Sequence, residues 1–192
     1  MQHPHDLEEA HLPAARANAF PLPCTPAQKV PAMNKTELLK QVIARLEDDL
    51  LQAQQAALTA YETATHEENI AENKYDTLGL EASYLATGQA RRAAAIRQTL
   101  ANWKLLVLRA FDPLLGIQLG ALIELSDDED RRQCLFLGPD GAAMKLQQDG
   151  QSIQVIGPQA PLGLILIGKT VGDEVTLHVA SGVQLLEILS VD

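Results

Sequence analysis

Two stretches of this chain carry the same four–three spacing of apolar residues, with size gradients running in opposite directions. In the first, Leu39, Ile43, Leu46, Leu50, Ala53, Ala57, Ala60 and Ala64 line one side of a helix expected over 36–66. In the second, Ala82, Ala86, Gln89, Ala93, Ile96, Leu100, Trp103 and Val107 do so over 74–108. Such a seam stabilises a helix only when a second helix covers it, so the pattern predicts a coiled coil. Antiparallel pairing sets Leu39 near Val107 and Ala64 near Ala82, large against large and small against small. The short link at 67–73 suits a hairpin. Thr36 is the expected N-cap of the first helix. Gly79 and Gly88 fall inside the second, and each costs about 1 kcal/mol relative to alanine there.

Asp112-Pro113 and Gly116 close the helical section, and the texture changes to short β-like runs. Strands are expected at Leu119–Leu125, Gln133–Leu137, Ala143–Gln147, Ser152–Ile156, Glu174–Val179 and Gln184–Leu189. Between them stand turn formers such as Gly138-Pro139-Asp140-Gly141, Asp149-Gly150 and Gly157-Pro158. Leu162–Ile167 reads as a short helix crossing the sheet. The expected class is α+β: residues 33–111 form the antiparallel hairpin and 112–192 a small β-rich domain. Residues 1–32 hold six of the ten prolines (Pro4, Pro13, Pro21, Pro23, Pro26 and Pro31) and show no periodicity, so they read as a disordered extension. Met33-Asn34-Lys35 resembles a natural start of translation.

Charge narrows the function. The net charge is −10, whereas a free-standing duplex binder presents a basic patch to phosphates. Any contact with nucleic acid is therefore expected through a partner. Cys24 and Cys134 have neither disulfide-framework nor zinc-site spacing. Neither a membrane span nor a signal peptide is legible, and the expected location is the cytoplasm.

The run PLGLILIGKTVGDEVTL, Pro161 to Leu177, resembles the C-terminal signature of the GreA/GreB transcription elongation factors. Gly168-Lys169 and Gly172-Asp173-Glu174-Val175 fall in register with it. The run EENIAENKYD, Glu67 to Asp76, is similar to the family's acidic hairpin tip. The resemblance spans about 34–192 and implies an FKBP-like fold for the second domain, which docks on RNA polymerase rather than acting as a prolyl isomerase. It also implies that the hairpin enters the polymerase secondary channel, where tip carboxylates hold a catalytic Mg²⁺ while the polymerase hydrolyses backtracked RNA. The chain itself would be no enzyme. It would hold no cofactor stably and would share Mg²⁺ with the polymerase.

On this resemblance Glu72 takes the place of the family's glutamate, and Asn69 stands where the family has aspartate. The spacing from Asn73 to Tyr75 is one residue shorter than is typical. Mg²⁺ prefers oxygen ligands, and a neutral amide is a poorer one than a carboxylate. Glu67 and Glu68 lie near enough to substitute, so the candidate catalytic residues are Glu72, Glu68 and Asn69, with Glu72 and Glu68 as metal ligands. The candidate partner-binding residues are Pro161, Leu162, Lys169, Arg91 and Arg92. RNA polymerase is the expected partner, with the RNA 3′ end and DNA met only inside its complex, and a monomer is expected.

Three other readings stay open. One is a Gre-like regulator that occupies the channel without cleavage. Another is an FKBP-like isomerase or chaperone, although the second domain offers only Phe136 toward an aromatic pocket. The last is a scaffold that dimerises through the helical seam.

Overall fold

The computed structural model describes residues 33–66, 78–180 and 182–192. The extension expected at 1–32, the link expected at 67–73 and the start expected for the second helix before Leu78 lie outside these residues. Among the described residues the order is α1 (Lys35–Thr65), α2 (Leu78–Lys104), β1 (Leu122–Asp127), β2 (Arg132–Leu137), β3 (Met144–Gln148), β4 (Gln151–Ile156), α3 (Pro161–Leu166), β5 (Glu174–Val179) and β6 (Gly182–Val191).

α1 begins one step earlier than the sequence suggested. Asn34, not Thr36, is the N-cap: its Oδ1 accepts from the backbone N–H groups of Thr36 at 3.0 Å and Glu37 at 3.3 Å. Both donors belong to the first turn, where the helix supplies few acceptors; Glu37 N–H is shared with the Asn34 carbonyl at 3.0 Å. α1 and α2 pack antiparallel. Near the sheet, Lys104 reaches Glu47 with Nζ–Oε1 2.6 Å; at the far end Ala60 and Thr63 share a groove with Ala82 and Leu85. Leu46, Ala53 and Ala60 are buried on α1, and Ala82, Ala93, Leu100 and Trp103 on α2, as the heptad seam requires.

At the base the seam shifts. Leu38 and Val42 are fully buried, whereas Leu39, Ile43 and Leu50 are only partly so. These two residues belong to one hydrophobic cluster with Leu122, Phe136, Leu146, Ile153 and Val155 of the sheet. The base of α1 therefore answers to two partners, and helix pairing alone under-counts its buried face. Val107, expected on the seam, is exposed because α2 ends at Lys104. The chain then tightens: Leu106 N–H bonds to Trp103 O at 3.2 Å, and Leu106 and Leu108 pack beside the first cluster outside the helix.

The sheet runs β3-β4-β2-β1-β6-β5, with β2–β4 parallel and the other pairs antiparallel. Its two faces bury different clusters. Leu122, Cys134, Phe136, Ile153 and Val155 face the helical hairpin, while Ile123, Leu125, Leu135, Leu137 and Ile156 face a second cluster containing Leu166 of α3 and Ile117. Alternation along a strand produces this division. It also explains why Leu135-Phe136-Leu137 is an unbroken apolar run: a strand covered on both sides has no solvent face. Asp149 (φ 52°) and Gly150 (φ 80°) form the tight β3–β4 connection, both in the left-handed region that a type I′ hairpin turn requires.

Candidate functional site

The Pro161–Leu177 run folds into α3, the following turn and β5, and most of its distinctive residues serve the architecture. Pro161 starts α3 at a position where its missing N–H costs nothing. Gly163 is buried with its α-carbon against Gly157, and a β-carbon there would collide with the Gly157 carbonyl oxygen. Gly168 (φ 77°) ends the helix in the left-handed region, as helix-terminating glycines do. Its N–H donates to Ile117 O at 2.9 Å, and Ile117 N–H donates back to Lys169 O at 2.8 Å. This reciprocal pair fastens the segment leaving the hairpin to the end of α3. Asp173 Oδ2 accepts from Thr170 N–H at 2.9 Å, closing the Thr170–Asp173 turn. Gly172 N–H donates to Ile188 O, and Ile188 N–H donates to Asp173 O, so the turn is stitched to β6.

What the run leaves at the surface is a small apolar and basic face. Leu164, Ile167 and Val171 are exposed, together with Pro161 and Lys169. Lys169 has an exposed side chain, while its backbone is engaged with Ile117. Leu162, a candidate contact residue, is half-buried against the second cluster. The neighbours that present more apolar surface are Leu164 and Ile167. In this short helix Leu162, Ile165 and Leu166 turn toward the second cluster, which leaves Leu164 on the outer side.

Arg91 and Arg92 are exposed on α2. Along the helix they lie about 17 Å from Trp103, which is buried at the base, at ~1.5 Å per residue, toward the far end of the hairpin. They are therefore separate from the α3 face. Glu67, Glu68, Asn69 and Glu72 lie outside the described residues. Among the described residues no cluster of histidine, cysteine or carboxylate groups is arranged to hold a metal ion, and no helix is long and apolar enough to cross a membrane.

On the sheet's other side, Trp103 is fully buried with its ring centroid 6.0 Å from that of Phe136, at an interplanar angle of 51°. The one aromatic ring of the sheet domain is thereby used in the joint with the hairpin. At the β1–β2 turn, Asp127 Oδ1 accepts from the N–H groups of Glu129 and Arg131, and Oδ2 from Arg131 Nε at 2.8 Å. The side-chain bond from Arg131, with these backbone donors, holds the Asp127 carboxyl below its ordinary range. In β2, burial pushes the half-buried Cys134 thiol up, and nearby Glu124 adds to the effect.

These features define a helical hairpin seated on one face of a mixed sheet, with a short helix on the opposite face carrying an exposed apolar and basic surface. Residues 116–192 match the family described as transcription elongation factor, GreA/GreB, C-term. Over this stretch the chain is similar to the C-terminal domain of the GreA/GreB factors. No curated protein matches the chain. Among solved structures, GreA factor homolog 1 (Gfh1) of Thermus thermophilus is 18% identical with a TM-score of 0.34, over 78% of this chain and 94% of that one. Gfh1 of Thermus aquaticus is 20% identical with a TM-score of 0.36, over 79% and 92%. The prokaryotic transcription elongation factor GreA/GreB from Nitrosomonas europaea is 20% identical with a TM-score of 0.33, over 52% of this chain and 78% of that one.

Proposed function

We propose that this chain is a transcription elongation factor that binds RNA polymerase, docking through the α3 face and directing its hairpin into the secondary channel. The observation that carries this reading is the match of residues 116–192 to the GreA/GreB C-terminal domain. The exposed Leu164, Ile167, Val171 and Lys169 support it, because they supply an apolar patch with a positive charge on an otherwise acidic protein. The chain acts as an accessory and meets the RNA 3′ end and DNA only inside the polymerase complex, as a cytoplasmic monomer.

At the tip, Glu72 and Glu68 would hold the Mg²⁺ that the polymerase shares, since carboxylate oxygens suit this hard cation. The ion would supply charge stabilisation to the attacking and leaving oxygens in hydrolysis of backtracked RNA. Asn69 favours a second reading, in which the hairpin occupies the channel and regulates without cleavage. An amide brings no charge to the metal, and small displacements of a ligand are costly in catalysis. The isomerase reading loses support because Phe136 is fully buried against Trp103 and lines no open pocket.

The test is a pull-down with core RNA polymerase and a cleavage assay on stalled complexes, comparing wild type, Glu72→Ala and Asn69→Asp. Binding with cleavage that Glu72→Ala abolishes supports the cleavage factor. Binding with cleavage gained only in Asn69→Asp supports the regulator. Absence of binding overturns both.

A further inference from the structure

The connection between β2 and β3, residues 138–143, opens with Gly138-Pro139-Asp140-Gly141, and α2 rests directly on this turn. A β-carbon on Gly138 would collide with the Trp103 ring at Cη2 and lie 2.5 Å from Cζ2. One helical turn earlier, Thr99 fills the equivalent space above Gly141, where a β-carbon would collide with its Oγ1. Trp103 and Thr99 are thus two feet of α2, each set on a glycine. Ordinary carbon–carbon contact lies at about 3.5–4.0 Å, so neither site has room for one more carbon.

The same turn is tied on its other side to the segment that leads into α3. Asp140 Oδ1 accepts from Gln159 N–H at 3.3 Å, and the Asp140 side chain packs against Gly157. Gly138 N–H donates to Ile156 O at 3.0 Å, and Gly163 of α3 stands against the Gly157 carbonyl. A continuous path of close contacts therefore runs from α2 through Gly138–Gly141 and Gly157 to α3.

We propose that the Gly138–Gly141 turn is the joint that sets the direction of the hairpin relative to α3, with Trp103 and Gly138 as its positioning residues. The physical reason is leverage. α1 has 31 residues, which at ~1.5 Å per residue is a lever of about 45 Å. The two helices at its base are separated by about 10 Å. Forcing the Trp103 foot upward by about 1 Å tilts the hairpin by about 6°, and carries its far end through roughly 4–5 Å. A ligand misplaced by 1 Å already costs on the order of a hundredfold in catalysis. A hairpin that must bring a few tip atoms to a target while the domain is anchored elsewhere needs such a joint to be rigid. This consequence for activity rests on the polymerase reading above; the geometry of the joint does not.

The joint is tested first on the free protein. Spin labels are placed at Glu62→Cys on α1 and Thr176→Cys on β5, in a full-length background carrying Cys24→Ser and Cys134→Ala. Gly138→Ala is expected to move the mean label distance by at least about 3 Å, and adding Trp103→Leu to bring it back by removing the ring. A folded Gly138→Ala protein with an unchanged distance overturns the proposal. Should Gly138→Ala not fold, Trp103→Leu alone is expected to broaden the distance distribution, and an unbroadened one overturns it.

With polymerase, Gly138→Ala is expected to keep affinity within about twofold while any tip-dependent effect falls at least tenfold, a split that general destabilisation does not produce. A shifted label distance together with no polymerase binding by any variant, wild type included, supports the joint and overturns the polymerase reading.

Discussion

Gly116 and Gly168 meet backbone to backbone: a β-carbon on Gly116 would lie 2.5 Å from the carbonyl carbon of Gly168. The contact brings the segment leaving the hairpin onto the end of α3, where Ile117 exchanges its two hydrogen bonds with Gly168 and Lys169. Both glycines have positive φ, at 69° and 77°, but only Gly116 is crowded; nothing lies within 4 Å of a β-carbon on Gly168. Gly168→Ala is therefore expected to cost only the left-handed penalty of about 1–2 kcal/mol. Gly116→Ala adds a backbone collision and is expected to cost at least about 3 kcal/mol. Urea unfolding of the two variants checks the difference, and equal losses would refute the role given to the contact.

The start of α1 offers a second comparison. Asn34 satisfies two first-turn donors, whereas the exposed Thr36 side chain caps neither. Asn34→Ala is expected to destabilise by about 1 kcal/mol and Thr36→Ala by less than about 0.5 kcal/mol. Thermal denaturation followed by circular dichroism at 222 nm is a sufficient readout, and the reverse order would contradict the assignment.

Lys35 fastens the same end of α1 to the rest of the chain. Its Nζ donates to Arg109 O at 2.7 Å across 74 residues and lies 3.7 Å from Asp192 Oδ1. The side chain is only 12% exposed, although the hydrogen bond itself lies at the surface, while Asp192 is open to solvent. Lys35→Met keeps the stem and removes the donor, and is expected to cost about 1–3 kcal/mol. Asp192→Asn is expected to cost less than about 1 kcal/mol, as for an exposed ion pair. Chemical denaturation of both variants compares the two contributions.

The β1–β2 turn predicts a pH dependence. Its bonds from Arg131 and Glu129 place the folded Asp127 pKa below the ordinary 3.8. A depressed carboxylate pKa contributes stability above the unfolded value and loses it as pH falls through the folded one. The stability difference between wild type and Asp127→Asn is thus expected to be constant from neutral pH down to about 5, and to shrink below about 4. Urea midpoints across pH 3–7 measure it, and a difference that grows on acidification would contradict a lowered folded pKa for Asp127.

The legibility of each element followed the range of the interactions that form it. β5 was expected at Glu174–Val179 and has those bounds, because turns flank it on both sides in the sequence. The distal seam, from Leu46 to Ala60 on α1, was equally plain, since two helices paired with each other impose one period on both. At the hairpin base the same period misled. Leu38 and Val42 face strands that lie far along the chain, and Val107 falls outside the helix that was expected to carry it. In the candidate site, the Pro161–Leu177 signature was recognisable as a pattern, but its division into structural and exposed residues was not. Leu162 turns partly inward and Leu164 outward because the second cluster, assembled from β1, β2, β4, β5 and β6, decides which side of α3 is covered.

The amino-acid sequence alone determined the helical hairpin, the six strands and the family-like character of residues 116–192. These depend on local periodicity, turn residues and the order of a short motif. Only the tertiary structure decided that the sheet is covered on both faces, that Trp103 and Thr99 stand on Gly138 and Gly141, and that Gly116 abuts Gly168. Those relationships are steric and join residues distant in sequence. A glycine written in a chain records that a side chain is absent, and the fold alone shows which neighbour fills the space.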